Sequence, residues 1–246
     1  MYDPAYGRFT AVDPLAERRI STTPFNYVQN NPVLRIDPNG LTDFTFNKRT
    51  GEFNQVGESN SEPDRVVRTD KNGNVKKKGD GLFGFLVKEE NRGDAKVLFN
   101  GIEKGILRDG INFKEENQII GVGNDDQPSV EGVKDFIFKL SNYVGREIGG
   151  SFFSKETGEN TSHITVGRYK NNTDKSIATS GDYEAKKMGL VQTTFFHTHL
   201  RKFSDVARLK PSRGDLSTRE DDRNNIKFII LTSPRKNGPG VLEISY

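Results

Sequence analysis

From about residue 128 onward the chain spells one amphipathic helix and then a series of short apolar strands, an order that leaves few folds open. Val133, Phe136, Ile137, Leu140 and Val144 recur at the i, i+3, i+4, i+7 spacing that gathers apolar side chains on one helical face. Glu147 to Phe153 and Ser162 to Tyr169 then read as strands. Val191 to Phe196 reads as another because it is β-branched and aromatic. Pro211-Ser212 opens a short helix, and Ile226 to Thr232 and Val241 to Tyr246 close the chain as two more strands. A helix followed by such strands implies an α+β or α/β domain of about 120 residues, an ordinary domain size.

The rest of the chain has a different texture. Hydrophobic residues make up 32% and mean hydropathy is −0.72, too little apolar material for one compact core across all 246 residues. The expectation is one core-forming domain over 128–246, with a weakly packed remainder. Residues 42–127 read as a β-rich, loop-rich linker or an N-terminal elaboration of that domain. Within it, Thr42 to Val56 forms a hairpin around Lys48-Arg49-Thr50-Gly51, and Val66 to Val75 a second one around a tight two-residue Asn72-Gly73 turn. Lys76-Lys77-Lys78 reads as a solvated loop rather than a phosphate patch, because no aromatic residues interleave with it.

His197-Thr198-His199 follows directly on the Val191–Phe196 strand, and these two are most of the chain's three histidines. Side chains at i and i+2 of a strand share a face, so both imidazoles project together. Asp215 offers an oxygen ligand from the next element. Cysteine is absent, which excludes disulfides, a thiolate nucleophile and thiolate metal ligation. Nitrogen and oxygen ligands favour zinc or a similar divalent ion, and a catalytic zinc keeps three protein ligands with one position open to water. Glu147, at the start of an apolar strand, is costly to bury alone. Near a metal-activated water it gains a role: it can take the proton and pass it to a leaving amine. The Ser212 hydroxyl can donate to a developing oxyanion. Ser212-x-x-Asp215 also reads as a helix capping box, with Asp215 complementing the helix dipole, and the two readings coexist. His163 falls on another strand, where surface or packing is the expected role.

Glu147, with Gly150 after it, then His197-x-His199, then Pro211-Ser212-x-x-Asp215, resembles the JAMM signature of the JAB/MPN metalloprotease superfamily. The resemblance covers roughly 128–246 and implies a mixed sheet flanked by helices. It assigns zinc (Zn2+) to His197, His199 and Asp215, general acid/base work to Glu147, and transition-state support to Ser212. Residues 200–211 make the His-to-Ser spacing longer than the family's, and Leu200 stands where a proline is usual.

The first forty-one residues carry a second resemblance. Tyr2-Asp3-Pro4, Gly7-Arg8-Phe9, Asp13-Pro14-Leu15, Tyr27, Asn30-Asn31-Pro32 and Asp37-Pro38-Asn39-Gly40-Leu41 occur in the order seen at the end of the RHS (YD-repeat) associated core domain. In that family the segment closes a β-cage and a variable C-terminal toxin begins after it, so the layout resembles a polymorphic toxin. Family self-cleavage at Asp-Pro-x-Gly would match Asp13 and Asp37, although Ala16 replaces the glycine after Asp13. The implied partners are a protein substrate, a cognate immunity protein and an export machinery.

Two other function classes stay open at this point. A nuclease cargo draws support from Arg201, Lys202, Arg208, Lys210 and Arg213, although Asp205 and Asp215 interrupt that stretch. A net charge of +3 spread over many charges of both signs does not argue for nucleic acid. A non-enzymatic remnant of an RHS shell is the other alternative. The polar N-terminus lacks an apolar signal core and no run is long enough to span a bilayer. The expectation is a soluble chain, secreted or delivered to a target cell within a larger RHS protein.

Overall fold

A computed structural model of the protein describes residues 42–56, 61–79, 94–169, 180–202, 210–220, 226–235 and 240–246, with residues 2, 3, 8, 9, 204, 207 and 209 beside them. Most of the RHS-like segment, Asp13 and Asp37 included, lies outside the described residues. Two of its short strands are described, β1 (Tyr2–Asp3) and β2 (Arg8–Phe9), paired antiparallel.

The chain divides into two units, Met1–Thr45 with Gln55–Asn100, and Phe46–Asn54 with Gly101–Tyr246. A four-stranded sheet runs through β4 (Glu52–Val56), β3 (Asp43–Asn47), β5 (Asp64–Val67) and β6 (Val97–Ile102), in that order. β3 and β5 are parallel, with Asp43 opposite Arg65, and that pair closes a bidentate ion pair at 2.8 and 2.9 Å. The expected first hairpin is present, and Gly51 takes the positive φ of 84° its turn requires. The second differs in its turn. The Asp70 N–H reaches the Asn74 carbonyl across three residues, with Gly73 at φ 88°. The Asp70 carboxylate accepts from the Asn72 and Asn74 N–H groups, and this favours the wider loop over the two-residue turn. Lys76–Lys78 pairs with the chain near Ala95, and Lys78 meets Asp94.

The second unit holds a six-stranded mixed sheet. It contains β7 (Gln118–Gly121), β8 (Gly149–Ser154), β9 (His163–Val166), β10 (Val191–Thr198), β11 (Lys227–Thr232) and β12 (Leu242–Ser245). Their order across the sheet is β12-β11-β10-β8-β9-β7. Only β10 and β11 run parallel in it; the other pairs given a register are antiparallel. The protein is thus an α+β chain with two mixed sheets and few helices. β7 belongs to the large sheet although it precedes residue 128, so the sheet reaches further back along the chain than the boundary read from the sequence.

Helix α1 (Val130–Val144) matches the apolar spacing and buries Val133, Phe136, Ile137 and Leu140. Ser129 caps it by accepting from the Gly132 N–H at 2.9 Å, and Gly145, at φ 73°, ends it. Phe136 joins Phe53 and Phe113 in an edge-packed aromatic cluster, with Phe46 stacked on Phe53. That cluster explains why Phe46–Asn54 belongs to this unit.

Helix α2 (Ser180–Lys187) lies on the other side of the sheet. The alternation of β8 shows this. Phe152 receives the Lys134 ammonium of α1 at 5.3 Å from the ring centroid, while the Ser151 hydroxyl donates to Asp182 of α2 at 3.0 Å. Among the described residues, no helix is long and apolar enough to cross a membrane. Replacing the N-cap, Ser129→Ala, is expected to cost about 1 kcal/mol in urea unfolding, the usual worth of such a cap.

Candidate metal centre

β10 supplies the two imidazoles. Within the strand His197 lies opposite Ile230 of parallel β11 and Gly149 of antiparallel β8, so it is held on both sides. His199 continues the same line: its N–H donates to the Leu231 carbonyl at 2.9 Å and its carbonyl accepts from Thr232 Oγ1 at 3.4 Å. Two residues apart in extended chain, the side chains emerge on one face, and both are buried at 2% and 4% exposure. They sit at the carboxyl end of one of the two parallel strands, the end at which open α/β sheets bind ligands.

Asp215 comes from helix α3 (Arg213–Glu220), in the connection that returns the chain to β11. Its carboxylate accepts from the Ser212 N–H at 2.6 Å, while the Ser212 Oγ accepts from the Asp215 N–H at 3.3 Å. That reciprocal pair is the capping box read from Ser212-x-x-Asp215. It holds Asp215 in the first helical turn, with Oδ1 turned to His197 and Oδ2 lying between the Ser212 N–H and His199.

The three side chains converge. The two Nε2 atoms are 3.0 Å apart, His197 Nε2 is 3.4 Å from Asp215 Oδ1, and His199 Nε2 is 3.7 Å from Asp215 Oδ2. Zinc bonds of about 2.0–2.1 Å in a tetrahedron imply ligand separations of about 3.3–3.4 Å. The observed distances bracket that value, and the donor set is one zinc accepts, so the residues fit the ion. Burial alone would raise the Asp215 carboxyl. The adjacent His197 and His199 imidazoles, the charge of His197 and the Ser212 N–H outweigh burial and hold it well below the usual carboxylate range, as a ligand needs.

His197 Nδ1 is buried and has no hydrogen-bond partner among the described residues. Its ring is instead packed edge-on against His199 at 4.8 Å and against Tyr246 at 6.2 Å between centroids. Tyr246 was not singled out by the sequence reading. Tyr246 follows Leu242 and Ile244 of β12 in alternation, one residue past the strand, but only the pairing of β12 with β11 brings that face to the histidines. Burial, and then the charge of Asp215, pushes the Tyr246 phenol above its ordinary value.

Glu147 lies two residues before Gly149, just ahead of β8 and not within it as expected. Gly149 is opposite His197 and the Thr198 N–H reaches the Ile148 carbonyl at 3.0 Å, so Glu147 lies in the chain just beyond the paired residues, next to the His199 end of β10. It is not among the residues whose ligand atoms cluster within 4.8 Å, which are His197, His199 and Asp215. Ser212 is exposed at the rim, next to Asp215. His163 stands far along the sheet, opposite Phe153, with its Nδ1 3.0 Å from the Ser162 hydroxyl. Arg201 stacks over Phe138 at 5.1 Å and takes no part in the cluster; Arg208 lies outside the described residues.

Such a centre can bind a divalent cation through three buried ligands, which leaves a fourth tetrahedral position for water or a substrate oxygen. Comparison with models of known protein families, with curated proteins and with solved structures found no match.

Proposed function

We propose that this chain carries a JAB-like zinc peptidase or isopeptidase, the C-terminal module of an RHS-type polymorphic toxin. The observation that carries the reading is the convergence of His197, His199 and Asp215 within 4.8 Å; Glu147, in the chain just ahead of the strand that pairs with β10, supports it. His197 and His199, through Nε2, and Asp215, through its carboxylate, hold the ion. Bound zinc supplies polarisation of an amide carbonyl and acidification of water. Glu147 takes a proton from the attacking water and delivers it to the leaving amine. Ser212 keeps its hydroxyl proton available, since its oxygen only accepts within the capping box, and donates it toward the developing oxyanion. The ordered motifs of residues 1–41 support the toxin layout and, with it, an immunity protein, an export machinery and delivery to a target cell.

Elemental analysis of the purified protein beside a His197→Ala/His199→Ala variant tests the reading. The expected result is about one zinc per wild-type chain and none in the variant. Metal in neither, even after zinc is added back, would sink it. A metal-dependent nuclease is the second reading, favoured by exposed Lys210 and Arg213 on either side of Ser212. It requires an affinity for DNA or RNA that falls steeply with salt.

A further inference from the structure

Thr198 stands between the two histidines, yet its side chain turns to the opposite face of the sheet, toward α1. There it belongs to a closed chain of hydrogen bonds. The Ile148 N–H donates to Thr198 Oγ1 at 2.9 Å, Thr198 Oγ1 and Ser141 Oγ are 2.7 Å apart, and Ser141 Oγ donates to the Arg146 carbonyl at 2.7 Å. A hydroxyl has one proton to give. That of Ser141 goes to Arg146, so Thr198 donates to Ser141. The Thr198 N–H also reaches the Ile148 carbonyl at 3.0 Å, and the Ser141 carbonyl receives the Gly145 and Arg146 N–H groups. Thr198 and Ser141 are both fully buried.

The polar groups tied down by this chain belong to Arg146 and Ile148, the two neighbours of Glu147. An apolar side chain of Thr198's shape would fill the same space; only the hydroxyl can satisfy the turn that carries the glutamate. We propose that Thr198 and Ser141 are positioning residues, whose buried hydroxyl chain holds Glu147 in register with the two histidines. This rests on reading Glu147 as the base beside a metal held by those histidines.

Cobalt(II) is the probe, added to the full chain, because its visible spectrum reports groups close to the ion's open position. In the Thr198→Val variant the Ile148 amide should exchange with solvent about ten-fold faster, the effect of one lost hydrogen bond. Cobalt affinity should change by less than the about 10-fold that accompanies loss of a ligand's own supporting hydrogen bond. The cobalt spectrum should depart from wild type as that of Glu147→Gln does. Thr198→Ser should restore both readouts, and the Thr198→Val/Glu147→Gln double variant should match Glu147→Gln alone.

A Thr198→Val spectrum equal to wild type, or spectral changes that add in the double variant, overturns the proposal. So does a folded Thr198→Val protein that binds no cobalt, since the hydroxyl would then serve the ligands. If that variant does not fold by circular dichroism, Ser141→Ala breaks the same chain from the helix side and is read in the same way. A Glu147→Gln spectrum equal to wild type removes Glu147 from the open position and the proposal with it. A wild-type chain that takes up no cobalt refutes the metal centre itself, an outcome distinct from the others.

Discussion

Zinc added to the metal-free protein raises its melting temperature by about 5–11 °C at a free zinc concentration about one hundred times Kd. The size follows from two generalities. A ligand at that excess stabilises the folded state by about 2.7 kcal/mol, and each kcal/mol moves the midpoint of a domain of this size by about 2–4 °C. The full effect requires that zinc bind the native chain far better than the unfolded one. His197 and His199 stay neighbours in any extended chain, but Asp215 joins them only when the capping box at Ser212 and the β10–α3 connection are in place. His197→Ala should abolish the shift, because it leaves the cluster only His199 and Asp215 as ligands. Asp215→Asn keeps the shape but removes the charge and should shrink the shift to a small remainder. Differential scanning fluorimetry of the three proteins, with and without zinc, decides the matter. An equal shift in the histidine variant would place the binding on surface carboxylates.

Gly150→Ala is expected to cost about 3 kcal/mol, or about 6–12 °C in melting temperature, through steric crowding alone. Gly150 lies in β8 between two partners, opposite Phe196 of β10 and Val166 of β9. A Cβ there would press on the Thr165 carbonyl oxygen and come within 2.7 Å of the Phe196 ring. Thr165 is paired on its other side with Ile119 of β7, so its backbone cannot retreat without moving a third strand. Phe196 is fully buried and has no free volume to enter. The paired control is Gly214→Ala in α3, where the nearest atom to a new Cβ is the Ser212 Oγ at 3.6 Å. Helix propensity there favours alanine by up to about 1 kcal/mol. Urea unfolding of both variants tests the argument; a Gly150→Ala protein within about 0.5 kcal/mol of wild type would refute it.

Much of the second unit is legible in the sequence. The apolar spacing of Val133 to Val144 matches α1, and the β-branched run into His197 matches β10. The strands around Glu147 and Ser162 came out shorter than read. Glu147 itself stays outside the ladder because the turn after Gly145 is bonded back to Ser141 and Thr198. The aromatic cluster of Phe46, Phe53, Phe113 and Phe136 was not legible, since it joins segments that no local period links.

For the candidate site the division is similar. That His197 and His199 share a face is a matter of strand period, and that Ser212 and Asp215 cap a helix is a matter of local hydrogen bonding; the sequence alone determined both. Bringing the helix start to the strand end was decided by tertiary structure, because it depends on how β10 and β11 pair across a connection of unspecified path. The same holds for Tyr246 beside His197 and for the Thr198 hydroxyl between Ser141 and the Ile148 amide. Such contacts join residues whose meeting is set by the order of strands in a sheet, and strand order is an energy of the whole packed core rather than of any local segment.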